Sequence, residues 1–313
     1  MNINLENFTV IENFGQNDIY ERLIAFDEQE NLKIFVKKTT NSILQNDFKR
    51  KHFENELSAN QTFDHENIVI FIDKKQILND IYLIFEATNG GTLADYVKKY
   101  TEKNKKPLPE EIVQYIIKQI SAALKYLHDK HVIYRNLSLE HIYLNFENDE
   151  DAESGDITKA KLKLGNFHLC KVLEDNELAH SFIGIPVYMD PNIVLKERNS
   201  IAYEYKADVW SLGSICFELL TGKTAFDGSG YDELVENIKG GKYSISTDLN
   251  LSKEAISFIT SILQYDSTKR LDIDGVLAHD FLKKDTKEFS HEGIEQFGEI
   301  KEKELILDIK INQ

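Results

Sequence analysis

Cysteine is scarce: Cys170 and Cys216 are the only two in 313 residues. Two thiols build neither a disulfide framework nor a cysteine-rich zinc site, and a reducing compartment is the default. Positive charge is also short. Lys and Arg number 37 against 53 Asp and Glu, a formal net charge of −16. That balance argues against a nucleic-acid-coating surface and against an anionic membrane partner. Long apolar runs are missing, and none approaches the roughly 20 residues that span a bilayer. Met1 to Glu12 lacks the blocks of a signal peptide, and Asn2 excludes N-myristoylation. The expectation is an intracellular, cytoplasmic protein without membrane insertion, with association to the cytoskeleton left open. The nine histidines are scattered with no pair four residues apart, so zinc is not expected.

What is present is enough for a core. Apolar residues make up 42%, which excludes a wholly disordered chain. Single cores stop growing at about 250–300 residues, so one two-lobed unit or two small domains is expected. Alternation predicts strands at 8–13, 20–26, 32–37, 68–72 and 81–86, with a turn at Gly15-Gln16-Asn17-Asp18. Helical spacing over 48–63 places Phe53, Glu56 and Leu57 together. After Asn89-Gly90-Gly91 the pattern turns helical. Pro109-Glu110-Glu111 opens a helix with a stripe through Ile112, Ile116, Ile120 and Leu127. Residues 207–220 are apolar nearly all round and close at Gly222, which predicts a central buried helix. Helices are also predicted at 252–263 and 275–281. Residues 147–156 read as a solvated acidic loop between two short strands. Residues 285–313 read as a charged tail in which 305–311 alternates like a strand.

Several short motifs stand in a fixed order. Val132-Ile133-Tyr134-Arg135-Asn136-Leu137 is followed by Lys163-Leu164-Gly165-Asn166-Phe167-His168. Gly184-Ile185-Pro186-Val187-Tyr188-Met189-Asp190-Pro191-Asn192 comes next, then Asp208-Val209-Trp210-Ser211-Leu212-Gly213, and Arg270 last. Over about residues 8–284 this order resembles the eukaryotic protein kinase family, Ser/Thr type. The resemblance implies an α+β, bilobal fold: a five-stranded antiparallel N-lobe with one helix over 1–87, a mainly helical C-lobe over 88–284, and the tail 285–313. The stretch 231–243 is similar to calcium/calmodulin-dependent kinases.

The same resemblance implies which positions carry phosphoryl transfer, and here they are degenerate. Asn136 stands where an Asp orients the substrate hydroxyl, and an amide is no base at neutral pH. Ser138 replaces a lysine that stabilises the moving phosphoryl group. His141 and Asn166 stand at the two magnesium positions, where anionic oxygens are favoured. His168 replaces a glycine. Of the glycine-rich loop only Gly15 survives.

Lys37 and Glu56 match the family's strand–helix ion pair, either a surviving nucleotide clamp or a strut for the helix. Phe35 shares a strand face with Lys37. With Arg22 and Tyr143 it is expected to fill the space of the base, Arg22 stacking on the two rings. The hinge is Glu86, Ala87 and Thr88. Phe167, Tyr134, Phe71 and Asp208 match a hydrophobic spine in which Asn60 replaces an apolar member. Ser181 is a candidate phosphosite facing Arg135, or a plain loop serine. Asn192 replaces the Glu that anchors Arg270, leaving a neutral hydrogen bond at best.

These positions point to a catalytically inactive kinase-like protein, a pseudokinase, acting as a scaffold or allosteric module. Protein partners are expected, and membership in a larger assembly is open. No metal and no cofactor are expected; ATP held without magnesium is left open. The alternative is a divergent Ser/Thr protein kinase in which Glu140 or Asp190 supplies the missing carboxylate.

Overall fold

The structure, a computed structural model, describes residues 8–28, 30–173, 184–194, 204–283 and 304–308. Two compact units emerge, one made of 1–91 with 143–170 and the other of 92–142 with 171–313.

The first unit is built on a five-stranded antiparallel sheet. Its strands are β1 (Phe8–Gln16), β2 (Glu21–Asp27), β3 (Leu32–Thr40), β4 (Phe71–Ile77) and β5 (Asp80–Glu86), in the order β1-β2-β3-β5-β4. Alternation divides the faces. Ala25, Ile34, Val36 and Ile84 pack on one side. Tyr20, Leu83, Phe85 and the half-buried Phe35 pack on the other, against Phe53. Phe53 belongs to α1 (Asp47–Asn60), which begins where the Asn46 side chain accepts the Lys49 N–H.

Two sequence expectations change here. The strand expected at 68–72 lies at 71–77 instead. Ile68 makes only an isolated parallel bridge to Leu164. Its apolar run is short because this stretch packs on a second segment, while Lys74, Lys75 and Gln76 line the outermost strand of the sheet. The boundary expected near residue 87 also moves. Backbone bonds Val69 N–Leu164 O, Leu164 N–Asn67 O, Gly90 N–Leu144 O and Leu144 N–Gly91 O join 143–170 to the first unit. That segment holds β7 (Ile142–Asn145, its first residue in the second unit) paired with β8 (Lys161–Leu164). The acidic stretch between them is not a plain loop. It contains α4 (Asp149–Ser154), capped by Asn148 and closed by Gly155 at φ +68°. Acidic side chains in its first turn suit the helix dipole.

The second unit is mainly helical. It comprises α2 (Leu93–Asn104), α3 (Glu110–Asp129), α5 (Pro191–Val194), α6 (Lys206–Thr221), α7 (Tyr231–Gly240), α8 (Lys253–Ile262), α9 (Ile273–Ala278) and α10 (Asp280–Lys283). The helix expected at 275–281 is thus two short ones, interrupted at His279, whose backbone is extended. α6 is the core element expected: twelve of its sixteen residues are buried, and Gly222 ends it at φ +73°. A short β6 (Val132–Ile133) pairs with β9 (Lys171–Val172). The tail strand appears as β11 (Glu304–Asp308), antiparallel to β10 (Lys242–Ser246). Ser181 and the rest of 285–313 lie outside the described residues. Among the described residues, no helix is long and apolar enough to cross a membrane.

Candidate functional site

Strand periodicity brings Lys37 of β3 to the face that carries α1. There Lys37 Nζ donates to Glu56 Oε1 at 2.5 Å and to Asn166 Oδ1 at 2.7 Å. Lys37 is 5% and Glu56 0% exposed. Burial would raise the Glu56 carboxyl, but the Lys37 ammonium, His168 and Tyr20 hold it below the usual carboxylate range. Asn166 adopts φ +57°, a conformation Asn tolerates better than most residues. Its Nδ2 faces the Tyr143 hydroxyl at 3.3 Å. Tyr143 is pushed up to about 12 by burial and the Glu56 charge, against the pull of Arg22. Its ring lies so close to Gly165 that an added Cβ would meet it at 2.8 Å.

The other sequence-predicted residues of this unit are placed as follows. Phe35 lies on the Lys37 face and packs on Phe85, with ring centroids 6.4 Å apart. Arg22 does not stack on Phe35 or Tyr143. Its Nη2 donates to the Phe14 carbonyl at 3.3 Å, because β2 and β1 carry the two residues side by side. Glu86 accepts from buried Lys163 at 2.7 Å and from the Ile70 N–H at 2.8 Å. Ala87 and Thr88 follow β5 as half-buried irregular chain. Asn60 Nδ2 donates to the Glu56 carbonyl one turn back, and Phe167 meets Phe63 edge-on at 5.0 Å.

In the helical unit, Asn136 and Ser138 are buried and His141 is half-buried. His141 Nδ1 lies 2.8 Å from the Asn136 carbonyl oxygen, so a ring N–H there donates to it, and 3.2 Å from Ser138 Oγ. The imidazole braces its own loop. Asp208 holds the preceding turn: Oδ2 accepts from Tyr134 N and contacts His128 Nε2, both at 2.9 Å, and Oδ1 accepts from Arg135 N at 2.8 Å. Those bonds offset the strain of Arg135 at φ +63°.

Arg270 overturns the expectation of a neutral anchor. Its Nη1 donates to Asp190 Oδ2 and to the Lys206 carbonyl, while Nε and Nη2 take the Gln264 carbonyl. The guanidinium also sits 5.0 Å from the Trp210 ring centroid. The charge is met two residues before Asn192. Asp190, 2% exposed, is thereby committed to Arg270 and does not serve as a substitute base. Glu140, the other carboxylate considered, is exposed.

The chain belongs to the protein kinase domain family, which matches residues 20–282. It is 29% identical over 263 residues to the serine/threonine-protein kinase ATG1a of Arabidopsis thaliana, covering 83% of this chain and 39% of that protein. It is 30% identical over 228 residues to the serine/threonine-protein kinase ULK1 of Homo sapiens, covering 72% and 21%. It is 28% identical over 279 residues to the probable serine/threonine-protein kinase nek3 of Dictyostelium discoideum, covering 89% and 24%. The chain thus spans well under half the length of these relatives. None of the three carries the calcium/calmodulin-dependent name suggested by 231–243.

The family implies ATP with magnesium. Magnesium favours anionic oxygens in near-octahedral array. Of the two positions that the resemblance assigns to the metal, Asn166 lies in the first unit and carries an amide, and His141 lies in the second and carries a ring nitrogen. The Asn166 oxygen already accepts from an ammonium, which would repel a cation placed beside it. Among the described residues no group of three His, Cys, Asp or Glu is placed to hold a metal. The Asn166 amide, with its oxygen taken by Lys37, does not fit a divalent ion.

Proposed function

We propose that this protein kinase domain transfers no phosphate and works through contacts with other proteins. The carrying observation is Asn166. A neutral amide stands at the family's metal position, and its oxygen is taken by Lys37 at 2.7 Å. Asn136 at the base position supports the same reading, since an amide accepts no proton at neutral pH. The Lys37–Glu56 pair then acts as a strut between β3 and α1. The partner role is supported by β1, an edge strand that exposes Val10, Ile11 and Phe14 by 46–55%.

The second reading is an active Ser/Thr kinase that moves the γ-phosphate of ATP to protein hydroxyls. What favours it is that the relatives are serine/threonine-protein kinases, the match to ATG1a of Arabidopsis thaliana covering 83% of this chain. In that reading exposed Glu140 is the carboxylate that replaces the missing base. Incubation of the full chain with labelled ATP, magnesium or manganese, and generic basic protein substrates separates the two. Label above the level of Glu140→Gln favours the enzyme, and none favours the first reading.

A further inference from the structure

The short loop before β2 has an aromatic residue at its end, Tyr20, and its geometry turns that ring inward. The Asn17 side chain accepts the backbone N–H groups of Ile19 and Tyr20 at 2.9 and 2.7 Å, and Asn17 N donates to the Tyr20 carbonyl at 2.9 Å. This Asx-type turn fixes the chain direction at the start of β2. Tyr20 is left 3% exposed, leaning on Phe53 of α1 with ring centroids 6.5 Å apart.

Its ring also covers Lys37. The ammonium lies over the Tyr20 ring at 5.4 Å from the centroid and over the Phe85 ring at 5.6 Å. Both distances fall within cation–π range. Two N–H groups go to Glu56 and Asn166. Two oxygens and two ring faces thus enclose the charge.

We propose that Tyr20 decides what the Lys37 site binds: its ring occupies the approach to the ammonium, and so the site excludes polyphosphate oxygens although the lysine is retained. Charge alone would admit such an anion. Lys37 is one of the few buried cations of the unit, and an accessible buried ammonium binds phosphate readily. Access is what the ring removes. This inference concerns ligand entry and is separate from the loss of transfer proposed above.

The test uses the full chain and two readouts. Brief acetylation with an N-hydroxysuccinimide ester, read by mass spectrometry, should label wild-type Lys37, 5% exposed, at least about tenfold more slowly than exposed Lys33, since the ester does not reach an enclosed side chain. Tyr20→Gly should raise Lys37 labelling. It should also bind inorganic tripolyphosphate in the presence of a chelator at least about tenfold more tightly than wild type, and adding Lys37→Met should abolish that gain. Tyr20→Phe keeps the ring and should stay closed in both assays. If the glycine variant does not fold, Tyr20→Leu takes its place, with the same direction in Lys37 labelling. The proposal is overturned if wild-type Lys37 labels as fast as Lys33, if wild type binds tripolyphosphate through Lys37, or if removing the ring changes neither readout. A wild type that binds tripolyphosphate yet transfers no label would sink this inference alone and leave the non-transferring reading standing.

Discussion

Arg270 and Asp190 form an ion pair buried on both sides, with side chains 0% and 2% exposed. The pair ties the end of the 184–192 motif to the segment before α9. Removing one member strands the other charge in the core, which typically costs about 3–5 kcal/mol. Asp190→Ala should therefore lower the urea midpoint sharply, while Asn192→Ala should leave it within about 0.5 kcal/mol of wild type. Equal effects of the two substitutions would show that Asn192 shares the anchor.

Glu56 sets an acid limit on stability. Its folded-state carboxyl lies below its ordinary value of 4.5 through Lys37, His168 and Tyr20, despite burial. A depressed carboxyl contributes stability that is whole above its unfolded value and is lost as pH falls through the folded one. Urea unfolding from pH 7 down to 3 should thus show a loss beginning near pH 4.5 that Glu56→Gln reduces. An unchanged acid profile in Glu56→Gln would contradict the pairing.

The Tyr20 hydroxyl lies against the buried Glu56 carboxylate and helps hold it below the usual carboxylate range. Removing the partner of a buried polar group costs about 1–3 kcal/mol. Tyr20→Phe should therefore lower the melting temperature while keeping the ring in place. An unchanged melting temperature would show that the hydroxyl does not support Glu56.

The hairpin joining β4 and β5 turns at Leu78, which is 91% exposed at φ +53°. A left-handed leucine costs about 1–2 kcal/mol, and glycine returns part of that gain as unfolded-state entropy. Leu78→Gly should stabilise the chain by about 0.5–1 kcal/mol in urea unfolding. Destabilisation would show that the leucine side chain makes a contact worth more than its strain.

Much of this was legible from residue order. Four of the five sheet strands, α1 and the buried α6 follow from periods of two and 3.6, because burial on one face writes itself into the chain, while β4 was expected at 68–72 and lies at 71–77. The Lys37–Glu56 contact was legible because the resemblance pairs a strand lysine with a helix glutamate, and the structure makes that pair. What stayed hidden depends on tertiary placement. Asp190, not Asn192, meets Arg270, and two residues' difference in a turn leaves no trace in spacing. His141 braces the Asn136 carbonyl, which its identity alone does not say. Tyr20 was visible only as a missing glycine, although a large ring in a phosphate-approaching loop is itself a signal that the space is filled. The α4 helix escaped because five acidic and polar residues and a single alanine carry no apolar stripe; the Asn148 cap and Gly155 marked its ends.

The most direct measurement is label transfer from γ-labelled ATP by the purified full chain, with magnesium or manganese, set against Lys37→Met prepared in the same way. Both proteins should give the same background on themselves and on added substrates. Transfer by the wild type that disappears in Lys37→Met would contradict the account.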